Sequence, residues 1–419
     1  MSKFQGALDR FGRFFIEPLF PNEVVSREVS AIDSECKKNL QDDNRRLHQV
    51  QKELANASQP YSRFSVGKRK TLHDSPTARG LSLRDMVVDF FTDHYSANRM
   101  KLAVLGQDPL DTLQRWVEKI FSKVPTRGLS QNWWDMPLYT EDQLLRQTFI
   151  KPVLGGPSLE LQFMYRDEAR FHESHPSWYL TFLLGHKGPG SIFALVRSNG
   201  WADDLQAGNY TPCWGSGLST IDVELTKNGL VHYRDIVGII FRYIAIVREQ
   251  PPQKWVVDEM MHICQTAFRF EQKCSPSSTV SFLAGIMQQP YSRTMLLSGP
   301  CVIRKFDPDL IRESMSYLRP DNFRLTILSS EYKIDLIAMA HCHPCLEVSN
   351  PASAHMSSSR FILAQTVLEK LGTRSDIGHA WMERNLLMIP CTNTCLMPFE
   401  TPATTNISLK LYKLNMRCL

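Results

Sequence analysis

The order of periodicities along this chain limits the folds open to it. Short apolar runs with β character stand at residues 147–153, 158–165, 219–225 and 323–328. The helical stretches between them come in runs, around 231–249, 253–272, 278–287 and 308–318, with another helix opening near Pro176. A doubly wound sheet needs one helix for each crossover, in strict succession. Mixed strands with helices in runs place the chain in the α+β class instead. A content of 43% hydrophobic and 22% charged residues is that of a globular chain, and the length suits about two or three domains.

The first 131 residues use the same grammar. Asn22 or Ser26 opens a long helix predicted to run to about Ala55, and a loop rich in Ser, Pro and Lys/Arg follows over 56–75. Ser82-Leu-Arg-Asp85 is a capping box before an amphipathic stretch. Met100-Lys-Leu-Ala-Val-Leu105 has β character. Asp108 then caps a helix with Pro109 at its first position. Residues 125–141, with Gly, Pro, Asn and two Trp, read as a linker. The two halves share an order of elements without a sequence repeat of fixed period. From Lys333 the character changes: Cys342, Cys345, Cys391, Cys395 and Cys418 are half of the 10 Cys, and only 361–371 keeps a helical period.

Charge and hydropathy exclude some roles. The formal charge of +5 is too small, over 419 residues, to point to nucleic acid. The best apolar run, Val237 to Phe241, meets Arg242 well short of the ~20 residues a membrane span needs. Leu8, Phe11 and Phe15 with Arg10 and Arg13 resemble a transit peptide, but Asp9 and Glu17 favour a core helix. Scattered cysteines suit thiols of a reducing compartment, so the cytoplasm is expected ahead of the mitochondrion.

Three groups of residues carry candidate chemistry. Glu28 and Glu35 lie two helical turns apart, about 10 Å, on one face. Amid Val25, Ile32 and Leu40 such carboxylates need cations or a metal, although the same helix also reads as a solvated charged face. Gly185-His-Lys-Gly-Pro-Gly-Ser191 makes a tight bend whose N–H groups suit an anion or a peptide, or serve only as a turn. It lacks the Lys-Ser/Thr of a phosphate loop. In the tail, His341-Cys-His-Pro-Cys345 and Cys391-Thr-Asn-Thr-Cys395 have donors for zinc at an unusual separation, or are unrelated thiols. No His-Glu-x-x-His, His-x-x-Glu-His or Gly-x-Ser-x-Gly occurs.

Around Glu28 and Glu35, Arg27-Glu-Val-Ser-Ala-Ile-Asp-Ser-Glu35 resembles the insulinase (pitrilysin) family of zinc metalloendopeptidases. The likeness continues through Tyr61-Ser-Arg-Phe-Ser-Val-Gly67, Leu102-Ala-Val-Leu-Gly106, Gly185 to Ser191, Asn199-Gly-Trp201, Ala267-Phe-Arg-Phe270 and Leu318-Arg-Pro-Asp-Asn322. It implies two similar mixed α/β sandwich domains and an irregular tail. Residues 1–131 would be the C-terminal part of the catalytic domain and 132–331 an incomplete second, non-zinc domain, with 332–419 unrelated or disordered.

The resemblance also implies roles. In the family, His-x-x-Glu-His gives two zinc ligands and the general base, and a downstream glutamate completes the site. Glu35 matches that glutamate and Glu28 the carboxylate that supports it. Gly185, His186, Lys187, Gly188, Leu205 and Ala207 match an exosite that holds peptides by strand addition. The departures are as specific. His-x-x-Glu-His is missing, as is the half that closes the family's clamshell, Lys187 replaces an acid, Arg45 a Trp and Ala207 a Gly. The expectation is a truncated peptidase, inactive alone and without stable zinc, whose partners are peptides and either the missing half or a homologous subunit. The alternative is a non-catalytic peptide-binding or regulatory subunit, with Lys187 and the strand taking acidic peptides.

Overall fold

The computed structural model of the protein describes residues 3–331 and the short strand Val348–Ser349. The first part is helical: α1 (Lys3–Ile16), α2 (Asn22–Asn39), α3 (Asp43–Glu53), α4 (Ser75–Ala78), α5 (Leu83–His94) and α6 (Leu110–Phe121). The second part starts with β1 (Gln147–Ile150) and β2 (Ser158–Tyr165), followed by α7 (Pro176–Leu184) and α8 (Ile192–Ser198). A hairpin of β3 (Ala202–Cys213) and β4 (Ser216–Leu225) comes next. Then follow α9 (Lys227–Val231), α10 (Tyr233–Glu249), α11 (Lys254–Arg269), α12 (Pro276–Ile286), α13 (Pro308–Met315), β5 (Phe323–Leu328) and β6 (Val348–Ser349). Mixed α+β architecture is what the order of periodicities predicts.

One sheet organises the second part, in the order β3-β4-β2-β5-β1-β6. β2 runs antiparallel to both β4 and β5, whereas β1 and β5 are parallel. Strand side chains alternate between faces, and the sequence obeys: Leu159, Leu161 and Phe163 of β2 face the same core as Ile221 and Val223 of β4 and Phe323, Leu325 and Ile327 of β5. Helices α7, α8, α10, α11 and α13 cover that face. In α10, Ile236, Val237, Ile240, Phe241, Ile244 and Val247 recur at the three- and four-residue spacing of a buried stripe. The opposite face is covered by α3 and by the segments around Tyr61 and Tyr139.

In the first part, α1 is a core helix packed on α6, with Leu8 and Gly12 buried. A methyl at Gly12 would stand 2.5 Å from Ile120 Cγ2, so glycine sets how closely the two helices approach. Ser82 caps α5, accepting the Asp85 N–H at 3.4 Å.

Four readings of the sequence need correction. The helix from Asn22 to Ala55 is two helices, because Asp42 breaks it and caps α3 by accepting the Arg45 N–H at 3.1 Å. The run from Met100 to Leu105 is extended but joins no sheet among the described residues, since β propensity supplies no partner strand. Residues 125–141 are not a plain linker: Leu138 and Tyr139 are buried against the sheet with Leu218. Pro109 is the cap of α6 rather than its first residue. The tail cysteines and the helical run at 361–371 lie outside the described residues. Among the described residues no helix is long and apolar enough to cross a membrane, and Cys36, Cys213, Cys264, Cys274 and Cys301 form no disulfide.

Candidate functional site

Helix α2 places the first pair. Glu28 and Glu35 are half-buried and flank the buried Val29 and Cys36, two turns apart. Between them Asp33 is tied down: its carboxylate binds Lys37 Nζ at 2.7 Å and accepts the Arg69 N–H at 3.0 Å. The Lys37 hydrogen bond, then that of Arg69, hold the Asp33 carboxyl below its usual range. This contact also fastens the turn at residues 68–74 to α2. A zinc centre needs at least three protein ligands, yet no three His, Cys, Asp or Glu side chains group together as a metal site among the described residues. Glu35 and Glu28 by themselves do not fit zinc, so no zinc-dependent step follows from these residues.

The second group is the bend between α7 and α8 together with β3. Gly185 ends α7, and Ser191 caps α8 by accepting the Ala194 N–H at 3.0 Å. The residue whose backbone demands glycine is Gly190, at φ 89°; Gly185, at φ −86°, adopts a conformation open to any residue. Inside the bend the Gly188 N–H donates to His186 Nδ1 at 3.2 Å. The bend is tight against both α7 and β3: a Cβ on Gly185 would lie 2.9 Å from the Thr181 carbonyl oxygen, 3.5 Å from the Ala207 nitrogen and 3.6 Å from its Cβ. Leu205 is fully buried in the helix-covered core and Ala207 packs against it. Gly185, Leu205 and Ala207 are thus brought together.

Among the described residues β3 is the outer strand of the sheet and pairs along one side only, with β4. Its other side has no strand partner among the described residues, which leaves a row of backbone donors and acceptors available. Lys187 ends at that strand, its ammonium bonded to Asp204 Oδ1 and 5.4 Å from the centre of the Phe193 ring. Burial alone pushes the Asp204 carboxyl up, but bonds from Lys187, Gln206 (3.0 Å) and the Leu205 N–H outweigh it and hold it below the usual range.

A third group was invisible to motif reading. On the sheet face toward α3, Glu160 is 8% exposed and accepts a 2.6 Å hydrogen bond from Gln51 Nε2. Asp222 lies opposite it on β4. Gln162 accepts from Tyr139 Oη at 2.7 Å and donates to Tyr210 Oη at 3.3 Å, while Arg324 lies over the Tyr139 ring and donates to the Gln143 carbonyl. Burial, then the Asp222 charge, push the Glu160 carboxyl up, partly offset by Gln51 and Arg324. The available signal was a carboxylate and an amide set between Leu159, Leu161 and Phe163.

Two family profiles match the chain: "Peptidase M16 inactive domain" over residues 82–264 and "Middle or third domain of peptidase_M16" over 268–340. The A-factor-processing enzyme of Saccharomyces cerevisiae is 38% identical over 330 residues, 79% of this chain and 32% of that protein. This chain belongs to the M16 peptidase family. Human insulin-degrading enzyme is 36% identical over 329 residues, 78% of this M16 chain and 32% of the relative. The M16 chain therefore spans about a third of the length of these relatives. Among solved structures pitrilysin superposes with a TM-score of 0.79 at 24% identity, covering 88% of this chain and 38% of its own. The first half of the periplasmic protease PqqL from Escherichia coli gives 0.61 at 13% identity, covering 89% and 76%. Both carry the same fold.

Proposed function

We propose that this chain supplies part of an M16 zinc metalloendopeptidase unit and that, by itself, it binds peptides without hydrolysing them. In this reading residues 1–131 belong to the catalytic domain, with Glu35 the zinc-ligand glutamate of an assembled site and Glu28 its support. Residues 132–331 form the second domain. The sequence holds no His-x-x-Glu-His, so neither a general base nor the remaining ligands are present in the chain. Zinc, the rest of the clamshell or a homologous subunit would be supplied from outside residues 1–419, in the cytoplasm.

The observation that carries the peptide-binding half is the open edge of β3 beside the bend at Gly185. A peptide laid along that edge gains main-chain hydrogen bonds irrespective of its sequence, while side-chain pockets set preference. The bend and Ala207 line the approach. A regulatory subunit that holds peptides for another chain uses the same surface, and the same edge supports that second reading.

The test uses the whole chain and a fluorescent extended peptide. Saturable binding is expected, with no cleavage before or after zinc is added. Gly185→Val, which crowds the Thr181 carbonyl and shifts the bend against Ala207, should weaken binding about tenfold, a loss of one or two backbone hydrogen bonds. Glu35→Gln should leave it unchanged. Hydrolysis by the purified chain that disappears in Glu35→Gln overturns the non-catalytic assignment. Absence of saturable binding overturns the peptide-docking one.

A further inference from the structure

On the sheet face toward α3 two acids stand directly opposite each other, with no lysine or arginine paired to either among the described residues. Glu160 of β2 and Asp222 of β4 are register partners in the antiparallel ladder, which brings their Cβ atoms to about 5 Å. Strand alternation turns both away from Leu161 and Ile221, which face the helix-covered core. Like charges set opposite on one face weaken a sheet. The cations nearby are engaged elsewhere. Arg324 donates to the Gln143 carbonyl and lies over the Tyr139 ring. Lys52 Nζ bonds Ser65 Oγ at 2.6 Å and stands over the Tyr61 ring. Glu160 Oε2 takes the bond from Gln51, and its Oε1 accepts none among the described residues. Asp222 has the Thr220 hydroxyl beside it and is exposed, so the pair opens to solvent on the β4 side.

A second observation is independent of the acids. Tyr61, in the segment after α3, is 6% exposed, and its hydroxyl is turned toward Glu160, Tyr139 and Tyr210. That hydroxyl is buried and no group meets hydrogen-bond geometry with it, Tyr210 coming nearest. A buried hydroxyl without a partner is costly, and its oxygen has lone pairs to give. The donors that converge here are two carboxylates and a phenol, all oxygen. Hard divalent cations take such ligands: magnesium through one or two carboxylates with several waters kept, calcium through a larger and looser oxygen shell. We propose that Glu160 and Asp222 form a binding site for a hard divalent cation, magnesium or calcium, completed by the Tyr61 hydroxyl. The exposed Asp222 is the entry and leaves room for the ion's waters. An ion held there fastens the segment after α3 to β2 and β4, and so joins the helical first part to the sheet. It is separate from the role proposed for Glu35 on α2 and does not depend on peptide docking at β3.

The experiment is isothermal titration calorimetry of the full chain, stripped with a chelator, against magnesium chloride and calcium chloride at pH 8.5. One ion per chain is expected, with a dissociation constant of about 0.1–1 mM, the range of sites with few ligand charges. The salt that binds more tightly names the ion. Glu160→Gln and Asp222→Asn should each weaken binding at least about tenfold, the loss of one of two ligand charges. Tyr61→Phe should weaken it about threefold, the loss of one neutral oxygen. The same ion should raise the melting temperature of the wild type and leave that of Glu160→Gln unmoved. Absence of saturable binding overturns the inference, as does binding that all three variants retain in full. So does a melting shift reproduced by potassium chloride of matched ionic strength, the mark of general screening.

Discussion

Replacing Glu160 with glutamine should stabilise this protein, and more so as the pH rises. The carboxyl is buried under α3, faces Asp222 across the β2–β4 ladder and has one hydrogen bond from Gln51, so its charged form is disfavoured. Its native pKa lies above the ordinary value of 4.5. A carboxyl shifted in that direction keeps its proton in the folded state after the unfolded chain has lost it. Stability is therefore full below the ordinary pKa and falls as pH rises toward the native one. Each unit of displacement costs about 1.4 kcal/mol, so a carboxyl pushed up to about 8 removes several kcal/mol from the wild type at pH 8.5. Glutamine keeps the volume and an acceptor for Gln51 but carries no charge. For a folding unit of this size, 1 kcal/mol moves the melting temperature by about 2–4 °C. Glu160→Gln should thus melt at least about 5 °C above the wild type at pH 8.5 and within about 2 °C of it at pH 5, measured by circular dichroism. Equal shifts at both pH values, or a lower melting temperature at pH 8.5, would refute the assignment of Glu160 as an inadequately compensated buried acid.

Two further substitutions probe the frame around the sheet. Asp43 accepts N–H bonds from Val153 (2.7 Å), Leu154 (2.9 Å) and Gly155 (2.9 Å) and pairs with the buried Arg46, so Asp43→Ala should cost about 2–4 kcal/mol in a urea titration. Burial alone raises the Asp43 carboxyl, but these bonds lower it overall; its contribution is present above the ordinary carboxylate range and lost as pH falls through the native pKa, so the two proteins should converge in acid. Gly229→Ala sets a methyl 1.7 Å from the Trp201 carbonyl oxygen and should cost about 3 kcal/mol, seen as a lower urea midpoint and an altered near-ultraviolet spectrum. An unaltered midpoint would mean that α9 is free to move off Trp201.

Local chemistry was legible where one element decides its own form. The alternation Leu159, Leu161, Phe163, Tyr165 marked β2 to the residue, and the cap at Ser82 was visible as a spacing. Asp42 shows the limit: one acid among Asp42, Asp43 and the basic residues after it ends a helix, and in a charged run that signal does not stand out. Non-local packing was not legible. Nothing near Tyr139 in sequence says that it meets Gln162, and nothing near Glu160 says that α3 covers it. Met100 to Leu105 failed for the same reason in reverse, since a strand is defined by a partner that no local pattern names. At the candidate site, the residues of the bend and β3 come together in space, but the Lys187–Asp204 contact joins two elements that only the folded chain makes neighbours.

The position of β5 has a consequence for how the chain reaches this state. It is the last strand of the described 3–331 segment to be synthesised, yet it lies inside the sheet, inserted between β2 and β1, with Gln147 opposite Leu325. A nascent chain can form the β3–β4 hairpin and lay β2 beside it, but β1 has no place until residues 323–328 leave the ribosome. Closing that seam brings together segments far apart in sequence, the kind of pairing that slows folding most. Until then the Leu161 and Phe163 side of β2 presents an unfilled slot. Chains stalled before Phe323 should be bound by chaperones that recognise extended apolar segments, and release should follow as the final strand slides into the gap.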